Sequence, residues 1–260
     1  MTKLSVAVGA AYLMLTIVWS QSARVASALA YDSGWQSGIG TWYGAPNGDG
    51  SEDGACGYGN ITSRTPFSSR ITAVGPALFK EGKGCGQCYQ IKCEANDLCS
   101  ETPVTVVVTD ECPECTEGQA HFDLSGTAFF DMAFPGRTSE LRNSGIVNIL
   151  FKRVQCQYPG KNIAFHVNAG SNDYWFSVLI EFENGDGDLG AVYLKQANSE
   201  SWEEMEHLWG AYWALNSGPL KAPFSIRLQT LSTGRTLTAN DVIPQNWQPD
   251  ATYVSLLNYN

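Results

Sequence analysis

No cysteine follows Cys156 in this chain of 260 residues; all eight (Cys56, Cys85, Cys88, Cys93, Cys99, Cys112, Cys115 and Cys156) lie in the first part. Any disulfide framework is therefore confined there, and the remainder must hold together by packing alone. Histidine is scarce as well, at positions 121, 166 and 207 only. With an even number of cysteines, this leaves no credible serine- or cysteine-based triad. Charged residues amount to 16%, too few for a coiled coil or a disordered chain. Positive charge is in deficit, 16 Lys and Arg against 26 Asp and Glu, giving a net charge of −10. Binding to nucleic acid or anionic lipid by counterion release is thereby disfavoured. No long apolar run occurs after Trp19, so no transmembrane segment is expected.

The one such run stands at the start. Lys3 precedes an apolar stretch from Leu4 to Trp19, and the small residues Ala26-Ser27-Ala28 or Ala28-Leu29-Ala30 follow as cleavage sites. At about 16 residues the stretch is short for a membrane span. Residues 1–30 read as a signal peptide, with the mature chain starting near Leu29 or Tyr31 and exported from the cell. That compartment decides the cysteines. Cys85-Gly86-Gln87-Cys88 and Cys112-Pro113-Glu114-Cys115 imitate a four-thiolate zinc site by spacing. In an oxidising environment the eight are better read as four disulfides, with no metal and no organic cofactor implied. Asn60-Ile61-Thr62 is the single N-glycosylation acceptor. Aromatic residues are abundant (8 Trp, 11 Tyr, 11 Phe), which suits a neutral ring-shaped ligand such as a sugar.

Apolar and β-branched runs predict strands at Cys88–Cys93, Val104–Thr109 and Ile146–Val154, buried on both faces as in a closed barrel. Helix is expected only as short turns near 74–79 and 127–134, and 33–38 as a polar lead-in. Past Cys156-Gln157-Tyr158-Pro159-Gly160 the pattern changes to short strands with turns between them, including a hairpin-type turn at 183–187. Six or seven such strands predict a β-sandwich of ordinary domain size. The chain thus divides into 31–160 and 161–260. Two carboxylates, Asp110 at the end of a β-rich run and Asp123 beside His121 and Phe122, are expected at loop ends. There they could polarise or protonate a sugar oxygen. Set against that, Asp110 could close a turn and Asp123 could cap a short helix beginning near Gly126.

Five motifs in order, Thr41-Trp42-Tyr43-Gly44, Gly54-Ala55-Cys56-Gly57, Gly84-Cys85-Gly86-Gln87-Cys88-Tyr89, Thr109-Asp110-Glu111-Cys112 and His121-Phe122-Asp123-Leu124-Ser125-Gly126, resemble those of the expansins. The C-terminal half adds Asp186-Gly187-Asp188, Trp209-Gly210-Ala211, Pro223-Phe224-Ser225-Ile226-Arg227 and Asp241-Val242-Ile243-Pro244. The whole set is similar to plant β-expansins, a group that includes the group-1 grass pollen allergens. This resemblance implies an all-β fold: a six-stranded double-psi β-barrel followed by an immunoglobulin-like carbohydrate-binding β-sandwich. It also implies the pairs Cys56–Cys85, Cys88–Cys156 and Cys93–Cys99, leaving Cys112–Cys115 as a fourth.

By the same resemblance the protein is a secreted monomer of the extracellular cell wall. It would bind cellulose and matrix polysaccharides of arabinoxylan or xyloglucan type and loosen their noncovalent contacts without hydrolysis. Thr41, Trp42, Tyr43, Asp53, Asp110, His121 and Asp123 are the expected groove residues, and Trp175 and Trp209 the expected glycan-stacking rings. The alternative is a weak endoglucanase or transglycosylase using Asp123 as general acid. Against it, the base that family 45 endoglucanases carry near the first strand has no carboxylate counterpart in Thr41-Trp42-Tyr43-Gly44. Barwin-like defence proteins share the barrel but lack the sandwich. The basic residue that pollen-type members carry after the equivalent of Trp213 is Ala214 here, and the chain is acidic where they are basic.

Overall fold

The computed structural model describes residues 34–94, 97–115 and 118–260, so the segment 1–30 read as a signal peptide lies outside the described residues. Six strands close a barrel: β1 (Gln36–Tyr43), β2 (Ile71–Val74), β3 (Cys88–Cys93), β4 (Val104–Glu111), β5 (His121–Ser125) and β6 (Val147–Val154). Around the ring they run β1-β5-β2-β4-β3-β6 and back to β1. Alternation sends Tyr89 and Ile91, Val104, Val106 and Val108, Phe122 and Leu124, and Ile149 and Phe151 into one core. Three short helices, α1 (Pro76–Phe79), α2 (Gly126–Asp131) and α3 (Thr138–Ser144), pack on the outside. The Ser125 hydroxyl caps α2 by accepting from the Ala128 N–H at 3.1 Å.

The later strands form two facing sheets. One has four strands in the order β10 (Glu203–Glu204), β9 (Leu189–Lys195), β13 (Phe224–Thr230), β14 (Thr236–Ile243). The other has five in the order β11 (Glu206–Trp209), β12 (Tyr212–Asn216), β8 (Trp175–Glu181), β7 (Ala164–Val167), β15 (Thr252–Val254). Phe176, Val178 and Ile180 point inward from β8 to meet Val192, Leu194, Phe224, Ile226 and Leu228. Each such side chain removed from water contributes roughly 1.5–3 kcal/mol, before conformational entropy is subtracted. The turn expected at 183–187 is not a hairpin. Strands β8 and β9 belong to different sheets, so this segment crosses between them, and Gly185 makes an isolated bridge to Cys156. Within the polar lead-in and just beyond it, Gln36 to Gly40 pair with β6.

The cysteines form Cys56–Cys85, Cys88–Cys156, Cys93–Cys99 and Cys112–Cys115, and among the described residues none is free. Barrel and sandwich meet through a buried polar cluster. Asp188, 1% exposed, accepts from Arg153 at 2.8 Å, Gln87 at 3.0 Å and the Ser232 hydroxyl at 2.6 Å. Leu179, Ala211 and Tyr212 of the sandwich pack against the barrel core. Among the described residues no helix is long and apolar enough to cross a membrane.

Candidate functional site

The site begins as one level of the barrel. Parallel pairing of β1 with β5 sets Thr41 opposite Asp123, and antiparallel pairing of β2 with β5 sets Asp123 opposite Ala73. On the far side of β2, after a register shift, Ala73 lies opposite Asp110. Asp110 and Asp123 are therefore two strand spacings apart, about 9–10 Å between backbones. Asp123 sits inside a strand rather than at a loop end, and the cap of α2 is Ser125 rather than Asp123.

The Thr41 hydroxyl donates to Asp123 Oδ1 at 2.5 Å and lies 2.9 Å from His121 Nε2. A hydroxyl has one proton to give. Once Thr41 donates it to Asp123, the His121 contact requires Nε2 to be the donor, which leaves Nδ1 as the acceptor. That Nδ1 is buried without a hydrogen-bond partner among the described residues. Burial lowers the pKa of His121, opposed by the Asp123 charge, so the imidazole favours its neutral form. Burial raises the pKa of Asp123 above its ordinary value; the Thr41 bond and His121 oppose this, and the Asp110 charge adds to it. Asp123 thus keeps its proton to a higher pH than a free aspartate does.

The other expected groove residues have different surroundings. Asp110 Oδ1 accepts from the Ala55 N–H at 2.7 Å and the Glu111 N–H at 2.8 Å, which fastens the loop 54–57 onto the end of β4. Tyr43 shares a strand face with Thr41; burial and then the Asp110 charge push its phenol far above the usual range. Trp42 alternates to the opposite face and packs on Phe130 and Phe129, with ring centroids 5.5 and 6.5 Å away. Asp53 is exposed, and its N–H bonds the Ser51 hydroxyl. Asn60 is exposed in a 3-10 turn, Gly59–Ser63. Among the described residues no group of three or more His, Cys, Asp or Glu is arranged to hold a metal.

From the loop held by Asp110 the surface continues onto the sandwich. Gly210, at positive φ, lies so close to the loop that a Cβ there would be 2.5 Å from the Ala55 carbonyl oxygen. Its neighbour Trp209 is 49% exposed and stacks on Tyr212 with centroids 4.8 Å apart. The β12–β8 register puts Tyr212 opposite Leu179 and Asn216 opposite Trp175, so half-buried Trp175 shares the Tyr212 face about 13 Å further along. Trp213 points the other way into the core, and Trp247 packs on Phe176. Trp202 lies beneath Arg227 and Lys195. Tyr212 was not among the expected residues. Its signal was parity: a core Trp213 in a strand places 212 on the other face.

A barrel of this topology joined to a sandwich, with acid residues and exposed rings along one side, defines a two-domain polysaccharide-binding class. Residues 163–244 match the family model described as the expansin C-terminal domain, and residues 71–151 match the model described as lytic transglycolase. The chain is 53% identical to Expansin-B3 of Arabidopsis thaliana, covering 88% of this chain and 86% of that one. It is 54% identical to Expansin-B16 of Oryza sativa subsp. japonica, over 88% and 85%. A crystal structure of apo Clavibacter michiganensis expansin shares the fold at a TM-score of 0.67 and 20% identity, covering 87% of this chain and 99% of that one. A mutant of that bacterial protein has been crystallised in complex with cellohexaose, at the same TM-score. The chain belongs to the plant β-expansins. It is therefore a cell-wall-loosening protein rather than an enzyme, its barrel related to but distinct from those of glycoside hydrolases.

Proposed function

We propose that the protein is exported after loss of residues 1–30 and loosens walls without cutting a bond, its barrel (31–160) acting on a glycan that its sandwich (161–260) holds. Neutral glucan lies along Trp175, Trp209 and Tyr212, whose ring faces meet sugar C–H groups by dispersion. The chain then reaches the level of Asp110 and Asp123. Protonated Asp123 donates to a glycan oxygen and displaces a glycan–glycan hydrogen bond; Thr41 and neutral His121 keep its carboxyl oriented. The bacterial relative crystallised with cellohexaose supports a glucan in this role.

The observation that carries the non-hydrolytic reading is the state of Asp110. Inverting hydrolysis needs a carboxylate free to activate water opposite the acid. Asp110 has its Oδ1 occupied by two backbone N–H groups that anchor the loop 54–57, leaving one oxygen, and on β1 the residue opposite Asp123 is Thr41 rather than a carboxylate. The test is creep of heat-inactivated grass and dicot walls under load at acidic pH, with reducing sugar assayed in parallel. Extension without sugar release, lost in Asp123→Asn, is the expected result. Sugar release that tracks extension would make the protein a hydrolase or transglycosylase.

A further inference from the structure

A second groove lies on the wall of the barrel away from Asp123. Around the ring β3 stands three strands from β5, so the two are diametrically opposed. Because Tyr89, Ile91 and Val106 turn into the core, alternation turns Cys88, Gln90, Thr105 and Val107 outward. Register sets Gln90 opposite Thr105 on one side and opposite Lys152 on the other. These residues floor a cavity of about 750 Å³, walled by the segments 66–70 and 155–159. That size falls within the usual range of ligand sites.

The lining differs in charge from the rest of the molecule. It includes Arg70, Lys152 and Arg153, together with the amides of Gln90, Gln155 and Gln157, and not one carboxylate. The whole chain carries ten more acidic than basic residues. Arg153 is neutralised by Asp188, and Arg70 shares a half-exposed pair with Asp131. Lys152 makes no ion pair among the described residues; its ammonium lies 4.8 Å from the Trp35 ring centroid. Lys92, one outward step along β3, lies 4.9 Å from the same ring, again without an ion pair. A ring face restrains an ammonium without cancelling its charge. Both lysines are thus held beside Trp35 with their charge available, Lys152 in the lining and Lys92 one outward step along β3. Half-buried Pro66 gives the lining an apolar edge, with the buried Phe67–Tyr158 pair in the same wall.

We propose that this groove binds a uronate-bearing polysaccharide, its carboxylates meeting Lys152 and Lys92 and its hydroxyls the three glutamines. A polyanion is repelled by the acidic surface elsewhere, so this cationic wall is the face it can approach. Bound there, an acidic matrix glycan leaves the Asp123 face open for neutral glucan, and one molecule can engage both at once. The site does not depend on what Asp123 does.

Calorimetric titration of the full chain with a de-esterified oligogalacturonide, its fully methyl-esterified counterpart and cellohexaose tests this. The acidic oligomer should bind, weaken as salt is raised, and lose about tenfold in affinity, equivalent to about 1.4 kcal/mol, in Lys152→Gln. Lys92→Gln should act in the same direction and Trp209→Ala should leave this binding alone. Cellohexaose affinity should not change in either lysine variant, which also shows that they are folded. Equal binding of the methyl ester, or undiminished binding of the acidic oligomer by both lysine variants, would overturn the proposal. Loss of cellohexaose binding alone would count against the neutral-glucan reading and not against this one.

Discussion

In the barrel, four disulfides tie together a core of six short strands, and polar side chains reach across strands at Thr41, Asp123 and His121. The sandwich has no cysteine; Phe176, Phe224, Ile226 and Trp247 interlock between its sheets, and charged residues such as Arg227 and Lys195 lie over Trp202, outside that core. The contrast teaches where each kind of constraint belongs. A site that holds a partly buried carboxyl beside a neutral imidazole needs backbone positions fixed against the desolvation cost. Covalent links fix them there. A stacking surface asks only that flat rings stay exposed on a well-packed sheet.

The strongest way to break this comparison is reduction. Opening all four disulfides should unfold the barrel while the sandwich keeps its protection, since the Cys88–Cys156 link alone closes a span of 68 residues. Loop-closure entropy puts that one link at about 4 kcal/mol. Hydrogen exchange followed by mass spectrometry, with and without reductant, reads the two halves separately; sandwich strands losing protection first would reverse the comparison. Next in size is Asp188→Ala, which strands the buried Arg153 at the junction. A loss of about 3–5 kcal/mol in urea unfolding is expected.

A smaller effect concerns pH. Burial raises Glu181 to about 7 against the pull of Lys161, and raises Glu183 to about 8. Tyr58 and Tyr158 also face Glu183 at the junction. Both carboxyls hold protons more tightly folded than unfolded. Their stabilisation is complete below the unfolded value near 4.5 and is lost as pH rises through about 7 and 8. The melting temperature should fall from pH 5 to pH 8, and Glu183→Gln should flatten that fall; an unchanged slope would show that Glu183 ionises freely. Smallest is Ser125→Ala, which removes the cap of α2 for about 1 kcal/mol in the barrel alone.

Strands β3, β4 and β6 were legible because apolar runs mark them in isolation, and the sandwich was legible as a series of short strands with turns between them. Strand β5 was hidden: His121-Phe122-Asp123-Leu124-Ser125 alternates with period two, but over only five residues next to a helix signal. Strands β7 and β14 escaped for a like reason, being short or interrupted by polar residues. The turn at 183–187 has hairpin chemistry, yet turn residues say that a chain reverses and not which sheet it enters. At the site, the residue types were legible and their faces were not. Trp42 and Thr41 are adjacent in sequence, and only pairing with β5 decides that Thr41 meets Asp123 while Trp42 meets Phe130. Pairing across β2 likewise cannot be read from spacing, so the level shared by Asp110 and Asp123 emerges only from the fold.

The division of labour between barrel and sandwich is tested most directly by measuring wall creep and cellulose-binding isotherms side by side for Asp123→Asn and Trp209→Ala. Asp123→Asn should abolish creep while leaving binding within about twofold, a change of about 0.4 kcal/mol. Trp209→Ala should weaken binding, and its creep should recover at higher protein concentration. Creep retained by Asp123→Asn, or lost only in step with its binding, would contradict a barrel that acts on what the sandwich holds.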